Sequence, residues 1–343
     1  MQSLLIISLC FIFLNLFNFF FKKFNFLLDK KKLPHKLFVS KDSVPLTGGL
    51  VLIISFFFLN NDIIFFIFSL LIFFFGIFSD LHVIESPIKK IIIQFIIVFL
   101  FLIFSDLNIL STKVFFIDYF IKNKIFSILF TTFCLLILIN GTNFIDGVNT
   151  LVCGYYILVL TIILYIGSKN TLYFNFNSYY YLLLSLSIIY IFNLFAKNYL
   201  GDSGSFLLAF IIGSNLISLC NDNLALSRPI SPVFILLLLW YPAFENFFSI
   251  IRRLFYKTQI SEPDNLHLHQ LLFILIKLKF KKYINSNHIN SLTGNLINSY
   301  NLIIFILATQ IYFHTVYLSY LVLLNILIYL FFYYFIKKLN LIR

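Results

Sequence analysis

Apolar runs about as long as a bilayer is thick follow one another along almost the whole chain, and no other feature restricts its fold as much. A hydrocarbon core takes about 20 helical residues, fewer where Gly or Pro permits. On that measure spans fall near 3–21, 47–59, 63–78, 91–104, 125–140, 150–167, 178–195, 205–219, 232–251, 296–313 and 316–336. With 61% hydrophobic and 11% charged residues and a mean hydropathy of +0.99, no single soluble core takes up so much apolar surface. The expected fold is all-α, a polytopic membrane bundle of about eleven transmembrane helices. The stretch 111–124 is expected along the interface, and residues 1–343 read as one integral-membrane domain.

Charge sets the expected orientation. With eleven spans the loops alternate, and 20 of the 25 Lys and Arg residues fall on one side, leaving Lys113, Lys122, Lys124, Lys169 and Arg228 on the other. By the positive-inside rule the N-terminus is expected outside and the C-terminus in the cytoplasm. The first run has no positive charge ahead of it and no small-residue cleavage site behind it, so it reads as a retained anchor. The net charge of +12 flanks apolar runs instead of forming a basic stripe, which argues against nucleic acid and for membrane lipids as the partner of these cations.

The same alternation gathers five polar clusters on the expected cytoplasmic face. In YLGDSGSF (199–206) the carboxylate of Asp202 stands at the start of a span, where Gly201 and its small neighbours let a phosphate or metal–phosphate unit approach. Helix capping is the alternative for this Asp. In NGTNFIDGVN, residues Asn140, Asn143 and Asp146 recur every three positions and Asn149 closes the cluster; a polar end cap is the rival reading. Asp80 and Lys90 lie ten residues apart around Pro87, an acid and a base in a short loop or an ordinary interfacial loop. Lys41 precedes Gly48 and Gly49, whose lack of side chains serves either an open backbone or close helix packing. Arg252 and Arg253 precede His267 and His269, donors for phosphate or sugar oxygens, and the segment 252–295 ends in an apolar-then-basic stretch expected at the anionic leaflet. Carboxylates, amides and cations on one face, with almost no polar residues in mid-span, suit magnesium-assisted phosphoryl transfer between a charged soluble substrate and a lipid.

Five motifs in order, P-x-x-G-G (Pro45 to Gly49), a G-x-x-D-D variant (Gly76 to Asp80), N-x-x-N-F-x-D-G (Asn140 to Gly147), G-D-x-G-S (Gly201 to Ser205) and a P-D-x-x-H-x-H-H variant (Pro263 to Gln270), resemble the polyprenyl-phosphate N-acetylhexosamine-1-phosphate transferase family. The resemblance runs from about Pro34 to Gln270 and is nearest the undecaprenyl-phosphate GlcNAc-1-phosphate transferase branch. It implies transfer of a HexNAc-1-phosphate from a UDP-N-acetylhexosamine to undecaprenyl phosphate, with release of UMP, at the cytoplasmic face of the inner membrane. It further implies Mg2+, with Mn2+ as the alternative, catalytic roles for Asp80, Asp146 and Asp202, and metal binding by Asp202 and Asp80. Lys41, Gly48, Gly49, Lys90, Asn140, Asn143, Asn149, Gly201, Arg252, Arg253, His267 and His269 are implied on the substrates. Ser79, Asn149, Thr150, Gln270 and Glu245 depart from the family pattern. A secondary transporter, or an inactive relative of the transferase, is the competing function, and the sequence leaves a homodimer open.

The parity argument predicts that reporter fusions in the loops carrying Asp80, Asp146, Asp202 and His267 label as cytoplasmic, and fusions near Asp62 and Asp222 as external. The reverse pattern overturns it.

Overall fold

A computed structural model describes residues 2–29, 43–59, 62–170, 172–257, 266–280, 283 and 285–341. Over these residues the chain is helical apart from loops and one isolated β-bridge between Leu28 and Pro45. The helices are α1 (Gln2–Phe24), α2 (Gly48–Leu59), α3 (Ile63–Asp80), α4 (Pro87–Ser105), α5 (Phe115–Ile121), α6 (Lys124–Ile145) and α7 (Leu151–Lys169). They are followed by α8 (Phe176–Leu194), α9 (Gly201–Asp222), α10 (Pro232–Leu238), α11 (Trp240–Tyr256), α12 (Leu268–Phe280), α13 (Ser286–Thr309) and α14 (Thr315–Leu341).

Eight of these helices are long and apolar enough to span a membrane, or nine with α10 and α11 taken as one bent span. The protein is thus an all-helical membrane-spanning bundle. Each of the eleven expected spans falls on a helix, but two differ in character. The run at 47–59 forms the 12-residue α2, and the run at 178–195 forms α8, whose four Tyr and two Asn lower its hydropathy. The expected interfacial stretch contains the short α5.

The run at 232–251 is not one straight helix. Pro242 has no N–H to give the carbonyl of Leu238, four residues back, and the chain bends by 75° between α10 and α11. Tyr155 of α7 splices the break: its hydroxyl donates to the Leu238 carbonyl (2.8 Å) and accepts from the Tyr241 N–H (3.3 Å). In lipid such freed backbone groups need a protein partner.

α9 is the axis of the bundle. In its most apolar window 89% of residues are buried, against 11% in α1 and 17% in α14, which therefore lie at the lipid-facing margin. α2, α3, α6 and α10 pack around it. Small residues bring these helices close, as expected where apolar tails give no hydrophobic drive between helices. Gly49 of α2 meets the backbone of Gly204, and Gly76 of α3 meets the backbone of Ser203 so closely that any Cβ there overlaps it. The first turn of α9 is thereby pressed against the last turn of α3.

Gly76→Val should therefore force α3 away from α9, at a cost of about 1–3 kcal/mol or more because the obstacle is backbone. A drop in the thermal unfolding midpoint of the detergent-solubilised protein is the expected reading; an unchanged midpoint contradicts this packing.

Candidate active site

The close approach at Gly76 places Asp80, the last residue of α3, under the start of α9. Its Oδ1 accepts from the N–H of Asp202 (2.8 Å) and its Oδ2 from the N–H of Ser203 (3.0 Å). The first N–H groups of a helix have no partner within the helix and carry partial positive charge, so a carboxylate there satisfies both requirements. Gly201 makes the fit possible: its φ is +72°, a left-handed conformation, and a Cβ there would stand 2.8 Å from Asp80 Oδ2. The family resemblance implies a metal-binding role for Asp80; in the structure each of its oxygens accepts from a backbone N–H of α9.

Asp202 is the hub. Its Oδ1 accepts from Asn143 Nδ2 (2.8 Å), and its Oδ2 accepts from Lys90 Nζ (3.2 Å) and from the hydroxyl of Ser79. α3, α4, α6 and α9 thus meet at one carboxylate. The Asp202 and Lys90 side chains are each 26% exposed, so the pair stands where the buried network reaches the outside. Ser79, which departs from the family pattern, is buried and serves as a donor.

One helical turn away, Asn140 Nδ2 donates to Gln94 Oε1 (2.8 Å) and to the Leu136 carbonyl (2.9 Å). A carbonyl only accepts, so the amide nitrogen must face Leu136 and the orientation of Asn140 is fixed. The same reasoning fixes Asn143, whose nitrogen serves the Asp202 carboxylate and Ser205 Oγ (3.2 Å). Both amides have used their donors. Their Oδ1 atoms, three residues apart on α6, carry no hydrogen bond from the described residues.

This set of oxygens fits a hard cation. Among the described residues no three carboxylate, imidazole or thiol groups cluster as ligands. Asp202 Oδ1 accepts from Asn143 alone among the described residues, and a donor set of carboxylate and amide oxygens has the chemistry that suits a small divalent ion keeping water and phosphate in its shell.

A second constellation surrounds His267, at the start of α12. His267 Nδ1 lies 2.9 Å from Glu245 Oε1, which also accepts from the N–H of Leu268 (3.1 Å). The His267 N–H in turn donates to Gln270 Oε1 (3.1 Å), the backward half of a capping box, which gives that departing residue a structural task. His267 lies against the Phe144 ring (5.5 Å between centroids) and the His269 ring (5.6 Å), and His269 packs on Gly147 next to Asp146. α6 therefore touches both constellations. Asp146 is the half-buried C-cap of α6.

Other expected site residues have structural surroundings. Arg252 is buried and donates to the Leu266 carbonyl (2.8 Å), so it braces the histidine segment; Arg253, the next residue, is half-buried. Gly48 and Gly49 pack against Tyr199, Leu200 and the first turn of α9, the packing alternative for that motif. Asn149 is buried with its N–H on Asn290 Oδ1 (2.7 Å), and Thr150 beside it holds a left-handed φ of +68° that a Gly adopts more easily. Lys41, Pro263 and Asp264 lie outside the described residues. Sequence reasoning missed Gln94 as the partner of Asn140 and the tyrosines of α14; spacing of Gln94 four residues after Lys90 was the available signal. A cavity of about 270 Å3 between Asp62, Ser105, Asn175 and Ser214 lies at the opposite ends of α3, α4 and α9 and is not part of this site.

Residues 63–220 match the family model described as Glycosyl transferase family 4. The matched segment makes up less than half of the chain. It includes Ser79, Asp80, Lys90, Asn140, Asn143, Asp146 and Asp202, while the Gly48–Gly49 and His267–His269 clusters lie outside it. A probable undecaprenyl-phosphate N-acetylglucosaminyl 1-phosphate transferase of Bacillus subtilis (strain 168) is 31% identical over 144 residues, 39% of this chain. The alignment spans 37% of that relative's length.

Asp80→Ala should leave two N–H groups of α9 without an acceptor and destabilise the fold by about 1–3 kcal/mol, more than Ser79→Ala, which removes one donor from a carboxylate that keeps two. Paired thermal melts in detergent check the order; equal shifts refute the capping role.

Proposed function

We propose that the chain transfers a HexNAc-1-phosphate, foremost GlcNAc-1-phosphate, from a UDP-sugar to undecaprenyl phosphate at the cytoplasmic face of the inner membrane, releasing UMP and beginning a lipid-linked surface glycan. The observation that carries this reading is the Asp202 hub: one partly exposed carboxylate with Lys90, Ser79 and Asn143 on it, inside the segment of family character. The name of the Bacillus subtilis relative supports the choice of sugar and lipid.

The chemistry balances without a base. A lipid phosphate has a second pKa of about 6, so it is largely dianionic near neutrality. One of its oxygens attacks the sugar-bearing phosphorus of the UDP-sugar. That P–O bond forms as the bond to the bridging oxygen breaks, and UMP leaves with the electron pair. Lys90 supplies positive charge beside Asp202, where negative charge accumulates on the diphosphate. Asp202 Oδ1 with Asn140 and Asn143 Oδ1 would hold Mg2+, or Mn2+ in its place. When bound, that ion supplies charge neutralisation on the diphosphate oxygens. Asp80 holds the α9 turn that carries Asp202, and His267 and His269 face the donor's phosphate or sugar oxygens from the second constellation. By family analogy Asp146 takes a catalytic role, and Asn149, Gly201 and Arg253 act on the substrates.

Membranes containing the full chain, undecaprenyl phosphate and a panel of radiolabelled UDP-HexNAc donors should yield labelled lipid and UMP. Asp202→Asn is expected to lower the rate by roughly 10²–10³, as for a lost electrostatic contact in a catalytic site. Ser79→Ala should stay within about tenfold of the parent, because Lys90 and Asn143 still hold Asp202, a loss of one net hydrogen bond to a charged group. No transfer from any donor sinks the reading. Undiminished transfer by Asp202→Asn removes Asp202 from the reaction.

A further inference from the structure

Five tyrosines lie on α14, a helix far beyond the family segment. Tyr317, Tyr320 and Tyr334 are more than half exposed, as befits a helix at the lipid margin. Tyr329 and Tyr333 are 2% and 0% exposed. A buried phenol needs a partner for its hydroxyl, and each finds one on α11. Tyr329 donates to Glu245 Oε2 (2.5 Å). Tyr333 accepts from Arg252 Nη1 (3.1 Å), while the guanidinium lies over the Phe248 and Tyr333 rings at 5.5 and 5.6 Å.

These two residues of α11 are the ones that hold the histidine segment. Glu245 takes the His267 ring and the N–H of Leu268; Arg252 takes the carbonyl of Leu266. Three consecutive residues are thus anchored from one side. We infer that Tyr329 and Tyr333 are positioning residues: through Glu245 and Arg252, the C-terminal helix fixes the place and ring orientation of His267.

The geometry says why this matters. With an acceptor-only carboxylate on Nδ1, a proton resides on that nitrogen and the ring orientation of His267 is set by Glu245. A rotation of Glu245 releases the ring and the first turn of α12 together. Tyr329 opposes that rotation by occupying the second carboxylate oxygen. Removing its hydroxyl leaves the edge-on contact with Phe248 and the stack with Tyr333 in place, so the phenylalanine variants separate hydrogen bonding from packing.

What His267 does for a substrate rests on the transfer reading above; how it is held rests on the hydrogen bonds alone, and the test has an arm for each. In the full chain in lipid nanodiscs, Tyr329→Phe should lower kcat/KM for the UDP-sugar about 10–100-fold, the scale of one hydrogen bond to a charged group. In a His267→Ala background the same change should cost no more than about twofold, because a residue acting through His267 is non-additive with it. The activity-independent arm is carbethoxylation by diethyl pyrocarbonate, followed residue by residue by mass spectrometry. Tyr329→Phe and Tyr333→Phe should each speed modification of His267 by about fivefold, the lower range of pairwise coupling, with the exposed His288 as unchanged reference. Equal losses of activity in both backgrounds, or unaltered His267 modification in both variants, overturn the inference. If the parent transfers no sugar phosphate, the proposed reaction fails and the modification rates still decide the positioning.

Discussion

The carboxylate of Asp80 on the first turn of α9 is the contact on which the rest of the site depends. Among the candidate spans of the described residues α9 is the most enclosed, and its first N–H groups have no acceptor within the helix. Left without acceptors they cost on the order of 1–3 kcal/mol each. Asp80 meets two of them only because Gly76 lets α3 touch Ser203 and Gly201 adopts a left-handed φ beside the carboxylate. Once the turn is held, Asp202 has a single place to point. Ser79, Lys90 and Asn143 converge on it from three other helices, so a backbone contact sets the geometry of a side-chain site.

The same device occurs a second time. Glu245 on α11 accepts the N–H of Leu268 at the start of α12, as Asp80 does for α9. Glu245 is fully buried, and its second oxygen and the His267 ring complete its hydrogen bonding. The cost of enclosing a charge is offset only when such partners surround it. Asp80 on α3 and Glu245 on α11 thus each hold the start of another helix, α9 and α12, while Asp202 is the partly exposed carboxylate of the hub.

What the sequence revealed follows from which signals are local. Length and hydropathy are local, so the all-helical membrane-spanning character was legible and each expected run fell on helix, although eight or nine of the described helices are long and apolar enough to span. The bend before α11 was also written in the chain, at Pro242, but a run of apolar residues on both sides of it concealed the break. Clusters such as Asn140–Asn143–Asp146 and Gly201–Ser205 were legible because several polar residues crowd into few positions of an apolar chain. Their partners were not. Asp202 meets Ser79 and Lys90 across more than 100 residues, and hydrogen-bond direction, which turns Asn140 and Asn143 into acceptors, has no trace in spacing. Tyr329 and Tyr333 were hidden by composition: among 48 Phe and 20 Tyr, two aromatic residues that face inward look like those that face lipid.

Charge balance at the hub ties these observations to the proposed chemistry. Asp80 is answered by the N-terminus of α9, and Asp202 is answered by Lys90. Two amide oxygens add partial negative charge without adding a donor. A diphosphate arriving at such a surface meets carbonyl and carboxylate oxygens, which repel it, and a lysine already engaged with a carboxylate. Bringing like charges together in a medium of low effective dielectric is unfavourable by several kcal/mol at contact distances. In the proposed reaction a divalent cation held by the oxygens of Asp202, Asn140 and Asn143 would supply the positive charge that offsets this repulsion. On the proposed reaction, the oxygens of Asn140 and Asn143 would serve such a cation, because their nitrogens are committed to Gln94, Leu136, Asp202 and Ser205.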